Sequence, residues 1–296
     1  MNYKKWINLN AKDLTDKTAI VTGSTGGLGG EICKTLALLN CNLIFLNRNL
    51  NKSEKQKEDL LKLNPNIKID IIQLDQRNVE QVKNVANELK YIQFDYFIHN
   101  AGVYNVPIKK TSAGYNNIFT TNFVSPYYLT NSLLPYLKEN SIKTIVVSSI
   151  ANNYSKIDEN DIDFSSHKKP SKIYGNSKRF LTFALMKLFN ENNYSNFAIC
   201  HPGITLTNMT NHYPKAINWL VKIGIKLLFP NPQKASLNII KAMFENTKEN
   251  EWIGPKHFNV WGYPNKKEFK TCKDNEKETI YKIAQQIYVN LKEKTD

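Results

Sequence analysis

The chain has 296 residues, of which 41% are apolar and 22% charged, which is enough for one large domain with a buried core. It contains no run of 18 apolar residues that could span a membrane, and residues 1–17 lack the apolar stretch of a secretory leader. The formal net charge is +14, but Arg48, Arg77 and Arg179 are the only arginines, which argues against nucleic-acid binding because such proteins favour arginine.

Short apolar segments alternate with longer amphipathic ones over the first two hundred residues. The predicted strands are Thr18–Thr22, Asn42–Leu46, Ile69–Leu74, Phe94–His99, Thr144–Ser149 and Phe197–His201. The predicted helices between them are Gly27–Asn40, Asn51–Leu63, Val79–Lys90, 112–139 and Ser171–Asn190. This alternation predicts an α/β fold of the Rossmann type, in which helices cover both faces of a doubly wound parallel sheet.

The last third of the chain is less regular. An apolar segment at Ala216–Phe229 precedes a predicted helix at Gln233–Asn246, an aromatic edge strand and loop at Trp252–Tyr263, and a final helix at Glu278–Lys294. No internal repeat or long linker divides the chain, so a single NAD(P)-binding domain over residues 1–296 is predicted. Its dinucleotide-binding core would span about 15–210, and substrate-covering and C-terminal segments would span about 207–296.

The first predicted strand ends in a glycine-rich turn, Thr22–Gly29, which leads directly into a predicted helix. Glycines allow a tight turn and let a pyrophosphate approach the backbone, while the helix N-terminus offers free N–H groups. The run lacks the Gly-Lys-Ser/Thr of a P-loop, which argues against an ATPase. The residues predicted to bind a dinucleotide here are Gly23, Ser24, Thr25, Gly27, Leu28 and Gly29.

The residues after the second predicted strand indicate which nicotinamide cofactor is bound. An NAD-binding chain usually has Asp or Glu there, to hold the ribose 2′-hydroxyl. This chain has Arg48 between two asparagines and no carboxylate. Because a guanidinium suits a 2′-phosphate, the sequence predicts NADP(H) in preference to NAD(H).

A tyrosine and a lysine on one predicted helix provide a candidate for proton transfer. Tyr174 and Lys178 are four residues apart, which puts the phenol and the ammonium on the same helical face. A nearby ammonium is expected to lower the pKa of the phenol. Tyr174 would then be a general acid in carbonyl reduction and a general base in the reverse reaction.

In chain order, these motifs resemble the short-chain dehydrogenase/reductase family over roughly residues 15–210. The resemblance rests on the glycine turn, Asp75 after the third predicted strand, Asn100-Ala101-Gly102 after the fourth, Asn122, Ser149, Tyr174 with Lys178, and His201-Pro202-Gly203 with Thr207 after the sixth. It implies an oxidoreductase that interconverts an alcohol and a carbonyl group with NAD(P). No metal is predicted, because the cysteines form no C-x-x-C pair.

The resemblance also implies a role for each residue. Ser149 would hydrogen-bond the substrate carbonyl, Tyr174 would transfer the proton, and Lys178 would bind the nicotinamide ribose. Asn122 would hold a water molecule in a proton relay with Lys178, and Asp75 would contact the adenine. The cofactor would also be contacted by Tyr174 and by Asn100, Ala101, Gly102, Pro202, Gly203, Ile204 and Thr207.

Two departures from the family pattern leave alternatives open. The glycine turn also fits the extended branch, which includes sugar-nucleotide epimerases, although Asn100–Gly102 and the modest length favour the compact branch. Ser149 and Tyr174 are 25 residues apart, a long gap that is similar to the retinol-dehydrogenase-like branch. The inserted stretch, Ile157–Ser166, would also allow Ser148 to act, but Ser149 matches the spacing of that branch.

The substrate is predicted to be a lipophilic small molecule. The apolar segment at 207–229 is predicted to be a lid over it, a helix packed on the core, or a shallow contact with a membrane. The resemblance implies a homodimer through the two long helices. Four scattered cysteines with no C-x-x-C pair predict free thiols and a cytoplasmic location. The alternative functions are a catalytically silent NAD(P)-sensing scaffold and an extended-branch epimerase or dehydratase.

Overall fold

A single sheet organises the computed structural model, which describes residues 2–203, 231–268 and 272–293. The strands are β1 Thr18–Thr22, β2 Asn42–Asn47, β3 Ile69–Gln73, β4 Tyr96–His99, β5 Lys143–Val147, β6 Phe197–Cys200, β7 Glu251–His257 and β8 Trp261–Glu268. Their order is β3-β2-β1-β4-β5-β6-β7-β8, and every pairing from β3 to β7 is parallel. The predicted doubly wound α/β fold is confirmed.

Helices cover both faces of this sheet. They are α1 Tyr3–Asn10, α2 Gly27–Leu38, α3 Leu50–Leu63, α4 Val79–Glu88, α5 Asn117–Phe119, α6 Ser125–Glu139, α7 Pro170–Glu191, α8 Pro232–Phe244 and α9 Asp274–Glu293. Alternate strand residues face opposite ways, so Ile20 joins an apolar cluster with α4, α6, α7 and α9. Its neighbours Ala19 and Val21 join a second cluster with α1, α2, α3 and α8. Both faces are therefore apolar, as a parallel sheet requires.

The long helix predicted over 112–139 begins later, at Asn117. The side chain of Asn116 accepts hydrogen bonds from the amides of Ile118 and Phe119 and so caps the helix. Gly114 precedes it in a turn with a φ of 89°. The helix then passes through one π-turn at Thr120–Val124 before α6, and such turns are frequent at functional sites.

The aromatic segment predicted as an edge strand and loop forms an antiparallel hairpin, β7–β8. Phe258 and Asn259 have φ values of 51° and 59°, as the two central residues of a type I′ turn require. The turn contacts the segment that follows β6, because a side chain on Gly203 would lie 2.5 Å from the carbonyl oxygen of Val260. The sequence analysis also missed α1, whose Trp6 is buried.

The alternatives for residues 207–229 fall within 204–230, outside the described residues. Across the described ranges, no helix combines the length and the apolar character needed to cross a membrane. In the same ranges, no group of three or more His, Cys, Asp or Glu side chains could hold a metal ion.

Candidate active site

A cavity of about 920 Å³ lies at the carboxyl ends of β1, β2, β4 and β5, where doubly wound sheets bind ligands. Most of the residues predicted from the sequence line it: Gly23, Thr25, Gly27, Leu28, Gly29, Arg48, Asp75, Asn100, Ala101, Gly102, Ser149, Tyr174, Lys178, Pro202 and Gly203. Ser24 and Asn122 do not line it. Ile204 and Thr207 lie outside the described residues.

The glycine turn packs against the end of β4 so closely that side chains are excluded. Gly23 has a φ of 66°, and a Cβ atom there would lie 2.9 Å from the Cα of Ala101. A side chain on Gly29 would collide with the carbonyl oxygen of Gly23. Gly26 is the N-cap of α2 and supplies no side-chain hydrogen bond. The first amides of α2 are therefore free to bind an anion, and the turn fits a dinucleotide pyrophosphate.

Ser24, predicted as a cofactor ligand, is instead fully buried behind the turn. Its amide donates to Asn47 Oδ1 at 2.9 Å, and its hydroxyl accepts from Asn47 Nδ2 at 2.7 Å. The hydroxyl also donates to Gln56 Oε1 at 3.0 Å. These bonds join the turn to the end of β2 and to α3, so Ser24 supports the binding loop without lining the cavity.

The open end of the cavity, where the adenosine is predicted, carries two guanidinium groups. Arg48 follows β2, and Arg77 makes a two-pronged ion pair with Asp75, from Nε at 2.9 Å and from Nη2 at 2.5 Å. Burial raises the pKa of the Asp75 carboxyl, but the hydrogen bonds and charge of Arg77 and the charge of Arg48 outweigh it and lower the pKa. The sequence analysis missed Arg77, although its place two residues after Asp75 could have indicated it.

The residues after β4 connect the glycine turn to the centre of the cavity. The Asn100 side chain donates to the carbonyl oxygens of Thr22 and Gly23, both at 3.1 Å. In return, the Thr22 hydroxyl accepts from the amides of Asn100 and Ala101, both at 3.0 Å. The Asn100 side chain therefore holds the ends of β1 and β4 together.

The predicted catalytic residues meet at the inner end of the cavity. Ser149 follows β5, Tyr174 and Lys178 lie one turn apart on α7, and all three line the wall. Burial raises the pKa of the Tyr174 phenol to about 12, although its hydrogen bond with Ser149 acts in the opposite direction. Lys178 is only 3% exposed. Burial lowers the pKa of its ammonium to about 8.

The pKa of Tyr174 is shifted upwards, whereas the sequence predicted a downward shift. The prediction took the Lys178 ammonium to stabilise the phenolate, but this ammonium donates to the carbonyl oxygen of Val147 at 2.8 Å. Burial therefore dominates at the phenol, and Tyr174 keeps its proton at neutral pH. A protonated phenol is in the state that a general acid needs.

Asn122 lies in the π-turn and is fully buried. Its side chain exchanges two hydrogen bonds with the backbone of Val103, accepting from the amide at 2.8 Å and donating to the carbonyl oxygen at 3.0 Å. A Cβ atom on Gly102 would lie 3.3 Å from Asn122 Oδ1 and 3.4 Å from Lys178 Nζ. Asn122 thus supports the loop beside Lys178 from outside the cavity, and its place in a water relay stays a prediction.

The choice of Ser149 over Ser148 agrees with the surroundings of the two hydroxyls. The Ser148 hydroxyl lies 2.5 Å from that of Thr182 and accepts from Asn152 Nδ2 at 3.2 Å. Ser148 is 2% exposed, whereas Ser149 is partly exposed. The Ser149 hydroxyl accepts a longer bond, 3.2 Å, from the amide of Ala151, and it is the serine hydroxyl that acts to lower the pKa of Tyr174.

Part of the cavity wall next to Tyr174 is apolar. The residues that form this part are Val103, Tyr104, Val106, Pro107 and Ile150. The Tyr104 and Tyr174 rings meet edge to face, with centroids 5.3 Å apart. The sequence analysis missed Tyr104, which follows the Asn-Ala-Gly motif by two residues. This surface suits an apolar ligand.

The insertion between Ser149 and α7 supports that apolar wall. Its Asp163 accepts a hydrogen bond from the amide of Asn116 at 2.6 Å. Its Phe164 is buried with Ile118 and Ile173 in a small cluster separate from the main core. Val103 and Val106, which line the cavity, pack against the same cluster. The insertion therefore holds the wall beside Tyr174 in place.

Comparison with known families and curated proteins gives consistent results. The family model described as short chain dehydrogenase matches residues 17–218. The chain is 30% identical to short-chain dehydrogenase TIC 32 A, chloroplastic, from Brassica napus, over 82% of this chain and 79% of that protein. It is 28% identical to polyprenol dehydrogenase from Homo sapiens over 81% of this chain and 75% of that protein. It is also 28% identical to human retinol dehydrogenase 13, over 66% and 61% respectively.

Solved structures share the fold at lower identity. A protein from Mycobacterium paratuberculosis superposes with a TM-score of 0.73 at 21% identity, covering 95% of this chain and 96% of that one. A short-chain dehydrogenase from Sphingobium yanoikuyae in complex with NADPH gives 0.57 at 17% identity, over 76% and 83%. A short-chain dehydrogenase/reductase from Burkholderia phymatum in complex with NAD gives 0.60 at 14% identity, over 80% and 88%.

Proposed function

Because the chain belongs to the short-chain dehydrogenase/reductase family of oxidoreductases, we propose that it interconverts a carbonyl and an alcohol on a lipophilic small molecule with NADP(H). One observation carries this proposal. Ser149, Tyr174 and Lys178 line the same cavity as the glycine turn, so a dinucleotide and a substrate can meet beside the proton donor. The mechanism follows from the states of these three side chains.

When bound, the nicotinamide cofactor supplies or accepts the hydride. The Ser149 hydroxyl hydrogen-bonds the substrate oxygen and orients it towards the phenol of Tyr174. Tyr174, whose pKa is about 12, donates its proton to that oxygen in reduction and takes it back in oxidation. The Lys178 ammonium, fixed by the Val147 carbonyl at 2.8 Å, remains charged at neutral pH and binds the ribose.

The preference for NADP(H) is supported by the charges at the open end of the cavity. Arg48 and Arg77 both line it. A 2′-phosphate carries negative charge that two guanidinium groups can hold with charge-assisted hydrogen bonds, whereas a 2′-hydroxyl cannot use them as well. Related folds have been solved with NADPH and with NAD, so the charges of this chain carry the proposal.

The lipophilic substrate is supported by the apolar wall beside Tyr174. Val103, Val106 and Ile150 offer no group that would recognise a sugar or a nucleotide. Two of the curated relatives are named polyprenol dehydrogenase and retinol dehydrogenase 13, after apolar alcohols. We therefore propose a long-chain or isoprenoid-like alcohol, or its aldehyde or ketone, as the class of substrate.

We also propose a cytoplasmic location. Cys33, Cys41 and Cys200 are buried and unpaired, as thiols are in a reducing compartment. The homodimer through α6 and α7 and the membrane contact of the segment at 207–229 stay predictions.

The two adjacent serines provide a test of the proposed function with a matched control. Loss of NADPH absorbance is followed with a panel of apolar aldehydes and ketones. Ser149→Ala is expected to lower kcat about 100-fold, because it removes a hydrogen bond to the reacting oxygen. Ser148→Ala removes a hydroxyl already bound to Thr182 and is expected to retain most of the activity. Equal losses in the two variants, or no turnover by the wild type, would contradict the proposal.

A further inference from the structure

Arg179 is a buried charge beside the catalytic pair that the proposed mechanism does not use. It follows Lys178 on α7, is 1% exposed, and does not line the cavity. A charge removed from water is costly unless it is paired and hydrogen-bonded. The partners of Arg179 therefore indicate its role.

The charge of Arg179 is balanced by Glu276, in the first turn of α9. Nε donates to Oε1 at 2.7 Å and Nη2 donates to Oε2 at 2.6 Å, so the pair is two-pronged. The guanidinium also lies 5.2 Å from the centroid of the Phe183 ring. The pair fixes the beginning of the C-terminal helix to the catalytic helix.

The third nitrogen of the guanidinium reaches the segment that follows Ser149. Arg179 Nη1 donates to the carbonyl oxygen of Asn152 at 2.9 Å. The Asn152 side chain, which is fully buried, donates to the carbonyl oxygen of Ser149 at 2.6 Å. A continuous chain of hydrogen bonds thus runs from Glu276 through Arg179 and Asn152 to the backbone of Ser149.

The same segment, Ile150–Tyr154, is in close contact with α7 at Gly175. A side chain on Gly175 would collide with the Ser155 hydroxyl, and its Cβ atom would lie 2.8 Å from the carbonyl oxygen of Ala151. The segment is therefore packed against the backbone of α7 at Gly175 and held by the guanidinium of Arg179. Both contacts come from the helix that carries Tyr174.

We propose that Arg179 and Glu276 are positioning residues for Ser149. Their ion pair holds the Ile150–Tyr154 segment so that the Ser149 hydroxyl stays within hydrogen-bonding reach of Tyr174. The C-terminal helix thereby contributes to catalysis, although none of its residues in the described range 274–293 lines the cavity. The effect on catalysis rests on the proposed function. The hydrogen-bonded link from Glu276 through Arg179 and Asn152 to Ser149, here called the tether, is a property of the fold.

The test compares Glu276→Gln with Glu278→Gln. Glu278 pairs with Lys187 at 2.5 Å on the surface, so this control removes the same charge from another contact between α9 and α7. Glu276→Gln is expected to lower kcat about tenfold or more while the Kd for NADPH stays unchanged, because a small displacement of a catalytic group slows the chemical step. Glu278→Gln is expected to leave both quantities unchanged.

A second variant separates positioning from stability. Replacing a buried ion pair by apolar side chains often preserves stability, so the double variant Arg179→Met/Glu276→Met is expected to stay folded. It lacks the donor to Asn152, and its kcat is expected to fall as in Glu276→Gln. Wild-type kcat in this folded double variant would overturn the proposal.

Hydrogen–deuterium exchange gives a readout that needs no turnover. Exchange in a peptide covering Ile150–Tyr154 is expected to be faster in Glu276→Gln than in the wild type and in Glu278→Gln. Unchanged exchange would overturn the tether. If the wild type reduced no carbonyl compound while exchange still rose in Glu276→Gln, the tether would stand and the proposed function would be wrong.

Discussion

The adenosine end and the catalytic end of the cavity differ in how they hold charge. Arg48 is exposed and the Arg77 side chain is 44% exposed, whereas Lys178 is 3% exposed. Exposed charges are screened by salt and contribute modestly, while buried charges keep strong interactions and shifted pKa values. Under the proposed function, cofactor choice would therefore depend on the number of exposed guanidinium groups, and catalysis would depend on the placement of a few buried atoms.

The largest effect is expected at the buried end. Tyr174→Phe removes the proton donor without changing the size of the ring, so kcat for carbonyl reduction should fall about 100-fold to 10,000-fold. The Kd for NADPH should stay within about twofold, because the phenol is not the anchor of the dinucleotide. Initial rates and nicotinamide fluorescence measure the two quantities. Turnover at the wild-type rate would exclude Tyr174 as the proton donor.

At the exposed end, the double variant Arg48→Ala/Arg77→Ala should weaken NADPH binding about 10-fold to 100-fold, the contribution of charge-assisted hydrogen bonds. NADH has no 2′-phosphate, so its Kd should change little, and kcat with saturating NADPH should persist. Parallel fluorescence titrations at low and at high salt check this. An equal loss for both cofactors would show that these guanidinium groups do not select the phosphate.

The buried ammonium of Lys178 should make carbonyl reduction depend on pH. Lys178 is charged below its pKa of about 8 and neutral above it. Carbonyl reduction should therefore be level below that pH and fall above it, by up to about tenfold for each pH unit. Rate measurements from pH 6 to about pH 10 check this. In the control variant Lys178→Met, the fall in rate above about pH 8 should be absent. A wild-type profile that keeps rising above its midpoint would contradict the assignment.

The smallest effect on binding is expected at Ser24. Ser24→Ala removes one of the two hydrogen bonds that the buried Asn47 Nδ2 donates, the other going to Ser53, and it removes the donor to Gln56 Oε1. The free energy of unfolding should therefore fall by about 0.5–1.5 kcal/mol. The Kd for NADPH should stay unchanged, because Ser24 is buried and does not line the cavity. Gly29→Ala, in contrast, places a methyl group against the Gly23 carbonyl and should abolish tight binding. A large loss of NADPH affinity in Ser24→Ala would show that Ser24 contributes to cofactor binding, as the sequence predicted.

The sequence was informative wherever a local pattern corresponds to a place in the sheet. Motifs after β1, β2, β3, β4 and β5 predicted one cavity, because parallel strands end at the same edge. Ser24 could not be distinguished from its neighbours, since consecutive residues of a turn can face opposite sides. The start of the long helix was missed because Asn116 caps it, and an Asn is too common in this chain to indicate a cap.

Features that depend on distant contacts could not be predicted. The direction of the pKa shift at Tyr174 depends on how deeply the phenol is buried, which no spacing reveals. Arg179 and Glu276 are 97 residues apart in the sequence, so their pairing follows only from the packing of α9 on α7. Arg77 lines the cavity because the turn after β3 directs it there.

Gly175 has a consequence for how this protein tolerates mutation. It lines no part of the cavity and carries no reactive atom, yet a single methyl group there would press on Ser155 and Ala151 and displace the helix that carries Tyr174. In a survey of all single substitutions, position 175 should therefore be as intolerant as the catalytic positions. Such a survey would therefore mark Gly175 as a functional residue, although its role is only to leave room for the neighbouring segment.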